Sequence, residues 1–383
     1  MELTVASELS RRLDRLKVGL LREGLRIHPS AEAARRERGK TPLRVRSGAC
    51  GGLDVILPNG HYVNCPISEP FVADSLYELQ LDATDSLRIE DTMSGESTQV
   101  DLLPTPAYYS AQRDDGTSLS RIGQLCSDRL GIGLTNRCRF WEKASERCKF
   151  CSIGLNTVSG HENRYKTLPE ILEVTEAAYN DPLVPARHVM LGGGTPEGGD
   201  EGTVAIAAAA AAIKERWPDR SVYAMVVPPK DRGFIDLLHE SGVDELGMNV
   251  ELFDPAAAAR YTPGKYNEIG LDGYLDALEY AVGIFGPINT RSITVVGLEP
   301  AQSTIDGVRL LASIGVMPIL SPFRPMAGTE MEHHDRASAD ELWQITLEAT
   351  DAANQHGVPL GPTCIPCQAN TLTMAGHPEY RFY

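Results

Sequence analysis

LGIGLTNRCRFWEKASERCKFC, residues 130–151, joins a short apolar stretch to three cysteines, Cys138, Cys148 and Cys151. LGIGLT has the length and apolar run of a buried strand, and Cys138 follows it almost at once. The cysteine spacing is Cys-x9-Cys-x2-Cys. Three thiols are an odd number for disulfide pairing, and one short of a closed tetrahedral metal site. They suit a centre that leaves one coordination position open.

Downstream of this stretch the same kind of strand recurs as HVMLGG, VYAMVV, ELGMNVE, RSITVVG and VMPILS. Between the strands lie helical patterns such as LPEILEVTEAAYN and LDGYLDALEYAVGIFG, and ASADELWQITLEATDAANQHG follows the last. Helices that start after Asp, Ser or Thr and stop at Gly fit the capping signals. Six strands, each followed by a helix, predict a parallel array. With six units rather than eight, the expected α/β fold is a partial (βα)6 TIM-type barrel over residues 121–356. A doubly wound open sheet is the alternative. Residues 1–120 read as an amphipathic helix followed by a small β-rich domain, in which Pro58-Asn59-Gly60 marks a hairpin. Residues 357–383 form a C-terminal tail containing a Cys-x2-Cys pair.

The chain has 383 residues, 42% of them hydrophobic and 23% charged, with a net charge of -16. So acidic a surface does not suit general nucleic-acid binding. No run of eighteen apolar residues occurs, so no bilayer span is expected. The N-terminal helix lacks a signal peptide's apolar core, and its Glu2, Glu8, Asp14 and Glu23 argue against a transit peptide. The expectation is a cytoplasmic protein with reduced thiols, in which clustered cysteines indicate metal or redox chemistry.

In parallel βα folds, catalytic groups gather beyond the C-terminal strand ends, where Cys138 falls. Cysteine thiolates hold [4Fe-4S] clusters, usually four at a time. With three, one iron keeps a free site, able to take the amine and carboxylate of a small molecule. At this point the sequence resembles the radical S-adenosylmethionine (SAM) superfamily. The usual motif there is Cys-x3-Cys-x2-Cys with an aromatic before the last cysteine; here Phe150 holds the aromatic place, while the first gap is nine residues. The resemblance implies a [4Fe-4S] cluster on Cys138, Cys148 and Cys151 that cleaves SAM reductively. The resulting 5'-deoxyadenosyl radical would abstract hydrogen from a small-molecule substrate. A reductant such as flavodoxin or ferredoxin is implied as partner, and neither nucleic acid nor membrane.

The resemblance also covers other strand ends. Gly192, Gly193 and Gly194 in HVMLGGGTPE correspond to a glycine-rich motif whose backbone meets the amino group of SAM. Asn249 and Glu251 in ELGMNVELFDP match the Asn-x-Asp/Glu pair of the biotin synthase and lipoyl synthase branch, which reaches the ribose. Val295 and Val296 in SITVVGLEP match the stretch beside adenine. The cysteine gap, the β-rich N-terminal part and the tail GPTCIPCQANTLTM are similar to a bacterial radical SAM family associated with nitrilase-type gene clusters. This implies a role in nitrogen or nitrile metabolism.

Other polar residues stay open at the level of sequence. Cys364 and Cys367 are two ligands of a second metal or cluster site, completed by Cys50, Cys65, Cys126 or His377, or else two packed thiols. Cys50, Cys65 and Cys126 read individually as small buried apolar residues. Arg164, Tyr165 and Lys166 follow the cysteine loop and read either as facing SAM or substrate or, the preferred reading, as a solvated helix entry. His333 and His334 read as surface histidines, because adjacent residues point apart. Arg324 is a candidate anchor for a substrate carboxylate or a structural ion-pair partner. No Walker loop, GxSxG elbow or HExxH motif occurs. Two other classes remain: a zinc-binding protein without redox chemistry, and a SAM-binding barrel without activity.

Overall fold

The structure, a computed structural model, describes residues 2–40, 51–155, 165–198 and 200–383. A 22-residue helix, Glu2–Glu23, opens the chain. Seven short strands follow: β1 (Arg26–Ile27), β2 (Leu53–Ile56), β3 (Tyr62–Cys65), β4 (Tyr77–Leu81), β5 (Leu87–Asp91), β6 (Ser97–Gln99) and β7 (Asp101–Leu102). They form two sheets, ordered β1-β4-β5-β6 and β3-β2-β7. The Pro58-Asn59-Gly60 step turns β2 into β3, with Gly60 at φ +79° and the Leu57 N–H donating to His61 O at 2.8 Å.

The central sheet contains β8 (Gln124–Cys126), β9 (Arg129–Gly133), β10 (His188–Gly192), β11 (Val222–Val226), β12 (Glu245–Met248), β13 (Thr290–Val296) and β14 (Met317–Pro322). Strands β9 to β14 are parallel and lie side by side in chain order. The order never reverses. A doubly wound sheet requires a reversal, so that alternative is excluded, and the sheet curls into a half-barrel. Helices begin where short polar side chains cap them. Thr167 and Glu170 form a capping box at Leu168–Tyr179, Asp254 accepts from the Ala257 N–H at 2.8 Å, and Ser338 from that of Glu341 at 3.1 Å.

An open half-barrel has two edges, and both are covered, as exposed edges invite pairing between molecules. At one edge β8 pairs antiparallel with β9. At the other the tail runs beside β14: the Gly361 N–H donates to Pro318 O and the Leu372 N–H to Leu320 O, each at 2.8 Å. The first helix completes this side. Its Val18, Leu20 and Leu21 share one apolar cluster with Leu342, Trp343 and Ile345 of the Ala339–Asn354 helix. Among the described residues no helix is long and apolar enough to cross a membrane.

Cys126 departs from the expected pattern of reduced, individually packed thiols: it is disulfide-bonded. It ends the edge strand β8 and is only half-buried, so a second thiol can approach it. Cys65 is fully buried and free, as expected; Cys50 lies outside the described residues.

At the N-terminal ends of β12 and β13, Arg291 pairs with Glu245, the two being 1% and 3% exposed. The Tyr383 hydroxyl adds a hydrogen bond to Glu245 Oε1 at 2.9 Å, and the guanidinium lies 5.0 Å from the Tyr223 ring centre. Removing one member strands a buried charge. Arg291→Met is therefore expected to cost about 3–5 kcal/mol. Adding Glu245→Leu should return most of that loss. Urea unfolding of the two variants checks this; a cost below about 1 kcal/mol for the single change would show the pair to be solvated.

Candidate active site

The chain leaves β9 at Gly133 and β10 at Gly192, and the two exits are zipped together. Leu134 N–H donates to Gly192 O at 2.8 Å, Gly194 N–H to Thr135 O at 2.9 Å, and Arg139 N–H to Thr195 O at 2.7 Å. This seats Cys138 beside the glycine triplet. The approach is close enough to demand glycine. A Cβ on Gly194 would sit 1.9 Å from Arg137 O and 3.0 Å from the Cys138 Cβ, and one on Gly193, at φ +136°, would sit 2.6 Å from Thr135 O. The triplet thus shapes the cysteine loop as well as lining the cavity. Gly194→Ala is expected to lower iron loading after anaerobic reconstitution several-fold. Gly192→Ala, whose Cβ would meet nothing nearer than 3.4 Å, should load like the unaltered protein. Equal iron content in both would sever the glycines from the loop's shape.

The long first gap of the cysteine motif has a physical solution. Cys138 opens a short helix, Arg139–Glu142, whose Trp141 reaches across the loop. The indole Nε1–H donates to Cys151 O at 3.2 Å, Arg147 lies over the ring at 4.2 Å, and its Nε donates to Trp141 O at 2.9 Å. Cys151 N–H then donates to Cys148 O at 3.0 Å, closing the final turn. The extra residues form a buttress, and the loop is anchored to the end of the distant Pro255–Tyr261 helix by Lys149 N–H to Tyr261 O at 2.9 Å.

Cys138, Cys148 and Cys151 line one cavity of about 290 Å³, together with Phe150, Gly192, Gly193, Gly194, Asn249 and Glu251. Asn249 is held by its own amide, accepting from the Ile293 N–H at 3.2 Å. Glu251 adopts φ +71°, a left-handed conformation uncommon for a non-glycine residue and often found at functional sites. Its Oε1 accepts from Lys265 Nζ at 2.8 Å. Burial works against the Lys265 ammonium, but the Glu251 carboxylate together with Tyr274 and Cys148 outweighs it and holds the lysine pKa well above its usual value. Lys265 also lines the cavity, and sequence reasoning missed it: it sits on a separate helix, Pro263–Glu268, with no local motif to mark it.

The thiols of Cys148 and Cys151 are pushed up by burial, to about 12 and about 11. Thiols of this kind become thiolates when metal is bound, because the metal's charge replaces the proton. The donor set also discriminates between centres. Among the described residues one group of ligating side chains has all its donor atoms within 4.8 Å of one another, and it lies elsewhere, around Cys364. The cavity cysteines are not gathered about one ion. A cluster, in which each thiolate takes a different iron, fits their wider arrangement.

Other expected residues fall on and off the cavity. Val296 does not face it: it is fully buried in the cluster behind the sheet, with Val308, Leu320 and Leu342. Side chains alternate along a strand, and its neighbour Val295 is the one that packs, as Phe150 does, against the cluster that contains Tyr261 and Phe323. Tyr165 lines the cavity, whereas the Lys166 ammonium turns back to Gly133 O, and Arg164 lies outside the described residues. Arg324 is buried and hydrogen-bonds Asn370 Oδ1 of the tail at 3.2 Å, so it braces the tail. His334 is half-buried, its Nε2 3.0 Å from the Tyr261 hydroxyl, while His333 is exposed. The side chains beside Cys364 and Cys367 are Asp128 and His188, neither of which the sequence reading proposed.

Residues 136–308 match the Radical SAM superfamily model. The chain is 30% identical over 131 residues to the bacteriochlorophyllide c C-7(1)-hydroxylase of Chlorobaculum limnaeum, which covers 34% of this chain and 33% of that protein. It thus spans about a third of the length of the curated relative it matches. Among solved structures, methylornithine synthase is 17% identical, with 64% of this chain and 72% of that chain covered and a TM-score of 0.47. A radical SAM methyltransferase from Sphaerobacter thermophilus is 15% identical, with 73% of each chain covered and a TM-score of 0.44.

Proposed function

We propose that the chain is a radical SAM enzyme acting on a small-molecule substrate. The observation that supports this most is the meeting of Cys138, Cys148 and Cys151 with the glycine triplet, Asn249 and Glu251 around one cavity, within the stretch that matches the Radical SAM superfamily model. When bound at these cysteines, a [4Fe-4S] cluster supplies the electron that cleaves SAM to methionine and a 5'-deoxyadenosyl radical, which takes a hydrogen atom from substrate.

The chain's own residues do the rest. Cys138, Cys148 and Cys151 would hold the cluster through three thiolates, one fewer than its irons. Gly193 and Gly194 permit the close backbone approach by which SAM's amino acid end is seated. Glu251, with one oxygen fixed by Lys265, keeps its other oxygen to accept from ribose hydroxyls. Phe150, which lines the cavity, packs against an apolar cluster that includes Leu252, Tyr261, Phe323 and Met331, and this backing would help to keep water from the reacting atoms. A flavodoxin or ferredoxin as electron donor and a cytoplasmic location belong to this reading. The likeness of the cysteine gap and tail to the nitrilase-associated family extends it to a nitrogen-containing substrate.

The test is anaerobic reconstitution with iron and sulfide, reduction with dithionite, addition of SAM, and chromatography for 5'-deoxyadenosine. The product is expected even without substrate, at a slow rate. Binding of SAM without cleavage would favour an inactive barrel, and a colourless zinc protein would favour the non-redox reading.

A further inference from the structure

We propose that Asp128, His188, Cys364 and Cys367 bind one zinc-class divalent ion that fastens the C-terminal tail to the N-terminal ends of β9 and β10. These four offer donor atoms that all lie within 4.8 Å of one another. His188 Nε2 is 3.2 Å from Cys367 Sγ, 3.6 Å from Cys364 Sγ and 3.4 Å from Asp128 Oδ1. Cys364 Sγ is 3.4 Å and Cys367 Sγ 3.6 Å from that same carboxylate oxygen.

Hydrogen bonding does not account for this arrangement. One imidazole nitrogen is a single donor or a single acceptor, yet two sulfurs and a carboxylate oxygen crowd it at 3.2–3.6 Å. A shared ion does. Zinc sits about 2.3 Å from sulfur, about 2.0–2.1 Å from imidazole nitrogen and about 2.0–2.2 Å from carboxylate oxygen. The edges of such a tetrahedron come to roughly 3.3–3.8 Å, which the observed separations of 3.2–3.6 Å match almost throughout. Cys-x2-Cys on a tight turn, here Pro366–Asn370 in 3-10 conformation, is a usual way to present two of the four ligands.

Charge and burial agree. His188 and Cys364 are fully buried and Cys367 is 8% exposed. Two thiolates and a carboxylate carry three negative charges, which a divalent ion reduces to one. Arg129, next to Asp128, is within electrostatic reach of both sulfurs, and its buried Nε has no hydrogen-bond partner among the described residues. All four positions are filled by protein, so the site is closed and structural.

The location gives it a role. Asp128 precedes β9 and His188 begins β10, while the far ends of these strands lead to the Cys138 loop and the glycine triplet. Each five-residue strand is roughly 13 Å long, so the two centres lie at opposite ends of the same strand pair. An ion there locks the tail and fixes the register of the strands that carry the catalytic loop.

Metal analysis of protein purified without oxygen and without metal-affinity resin tests the proposal. About one zinc per chain is expected in addition to iron, and it should remain in the variant with Cys138, Cys148 and Cys151 all changed to Ala. His188→Ala and Cys367→Ser should lose zinc at least tenfold. Asp128→Asn, a milder change, should weaken zinc at least tenfold against a competing chelator while keeping the native circular dichroism. Growth on cobalt should give the visible bands of tetrahedral thiolate-bound Co2+, absent from Cys367→Ser. Zinc below about a tenth of an equivalent in the unaltered protein overturns the proposal, whatever the variants do. So does zinc that persists undiminished in the folded Asp128→Asn variant, or loss of several irons in Cys367→Ser, which would instead make this an auxiliary cluster.

Discussion

Cys148→Ala is expected to lower 5'-deoxyadenosine formation to below about one-thousandth of the unaltered rate, a loss of roughly 4 kcal/mol of transition-state stabilisation. In the proposed reading Cys148 is one of three thiolates that would hold the cluster, and among the described residues lining the cavity the other cysteines are Cys138 and Cys151. The carboxylate of Glu251 is engaged by Lys265, and the other two thiols at the cavity, Cys138 and Cys151, would be needed as ligands themselves. Iron per chain should fall in parallel, so that loss of product follows loss of cluster. Cys65→Ala is the control: that thiol is buried on β3, away from the cavity, and its removal should leave both iron and product unchanged. If Cys148→Ala retained a full iron complement and SAM cleavage, the assignment of the three ligands would be wrong.

The second large effect is expected at the Glu251–Lys265 pair. A charge-assisted hydrogen bond to a bound hydroxyl contributes about 1.5–3 kcal/mol. Glu251→Gln should therefore weaken SAM binding by roughly 10- to 150-fold, measured by equilibrium dialysis on cluster-loaded protein. The visible spectrum of the cluster should not change, because Glu251 is not one of its ligands. Lys265→Met removes the fixture and leaves the carboxylate, so its effect on binding should be smaller than that of Glu251→Gln. SAM affinity within twofold of the original in Glu251→Gln would remove Glu251 from the ribose role and leave its left-handed backbone as a feature of the strand exit alone.

Much of this architecture was legible in the sequence because it is local. Six apolar stretches between capped helices became β9 to β14, in chain order. The residues read from strand ends, Cys138, Gly192, Gly193, Gly194, Asn249 and Glu251, came together because parallel strands deliver their C-terminal ends to one place. What stayed hidden depends on direction or on distance along the chain. Val295 and Val296 are adjacent and equally apolar, and only the pleat decides that Val296 faces the helices. Lys265 comes from another helix and meets Glu251 only in three dimensions. Asp128 and His188 stand more than 170 residues before Cys364 and Cys367, at strand beginnings, where no spacing rule links them to a tail. The nine-residue gap was visible as a departure, but its use as a Trp141-braced turn was not.

Mössbauer spectroscopy of 57Fe-reconstituted protein, before and after SAM, tests the open iron most directly. With three thiolates on a four-iron cluster, one iron of the four should change its isomer shift on SAM binding while the other three do not. A spectrum with four equivalent thiolate-ligated irons, unaltered by saturating SAM, would contradict it.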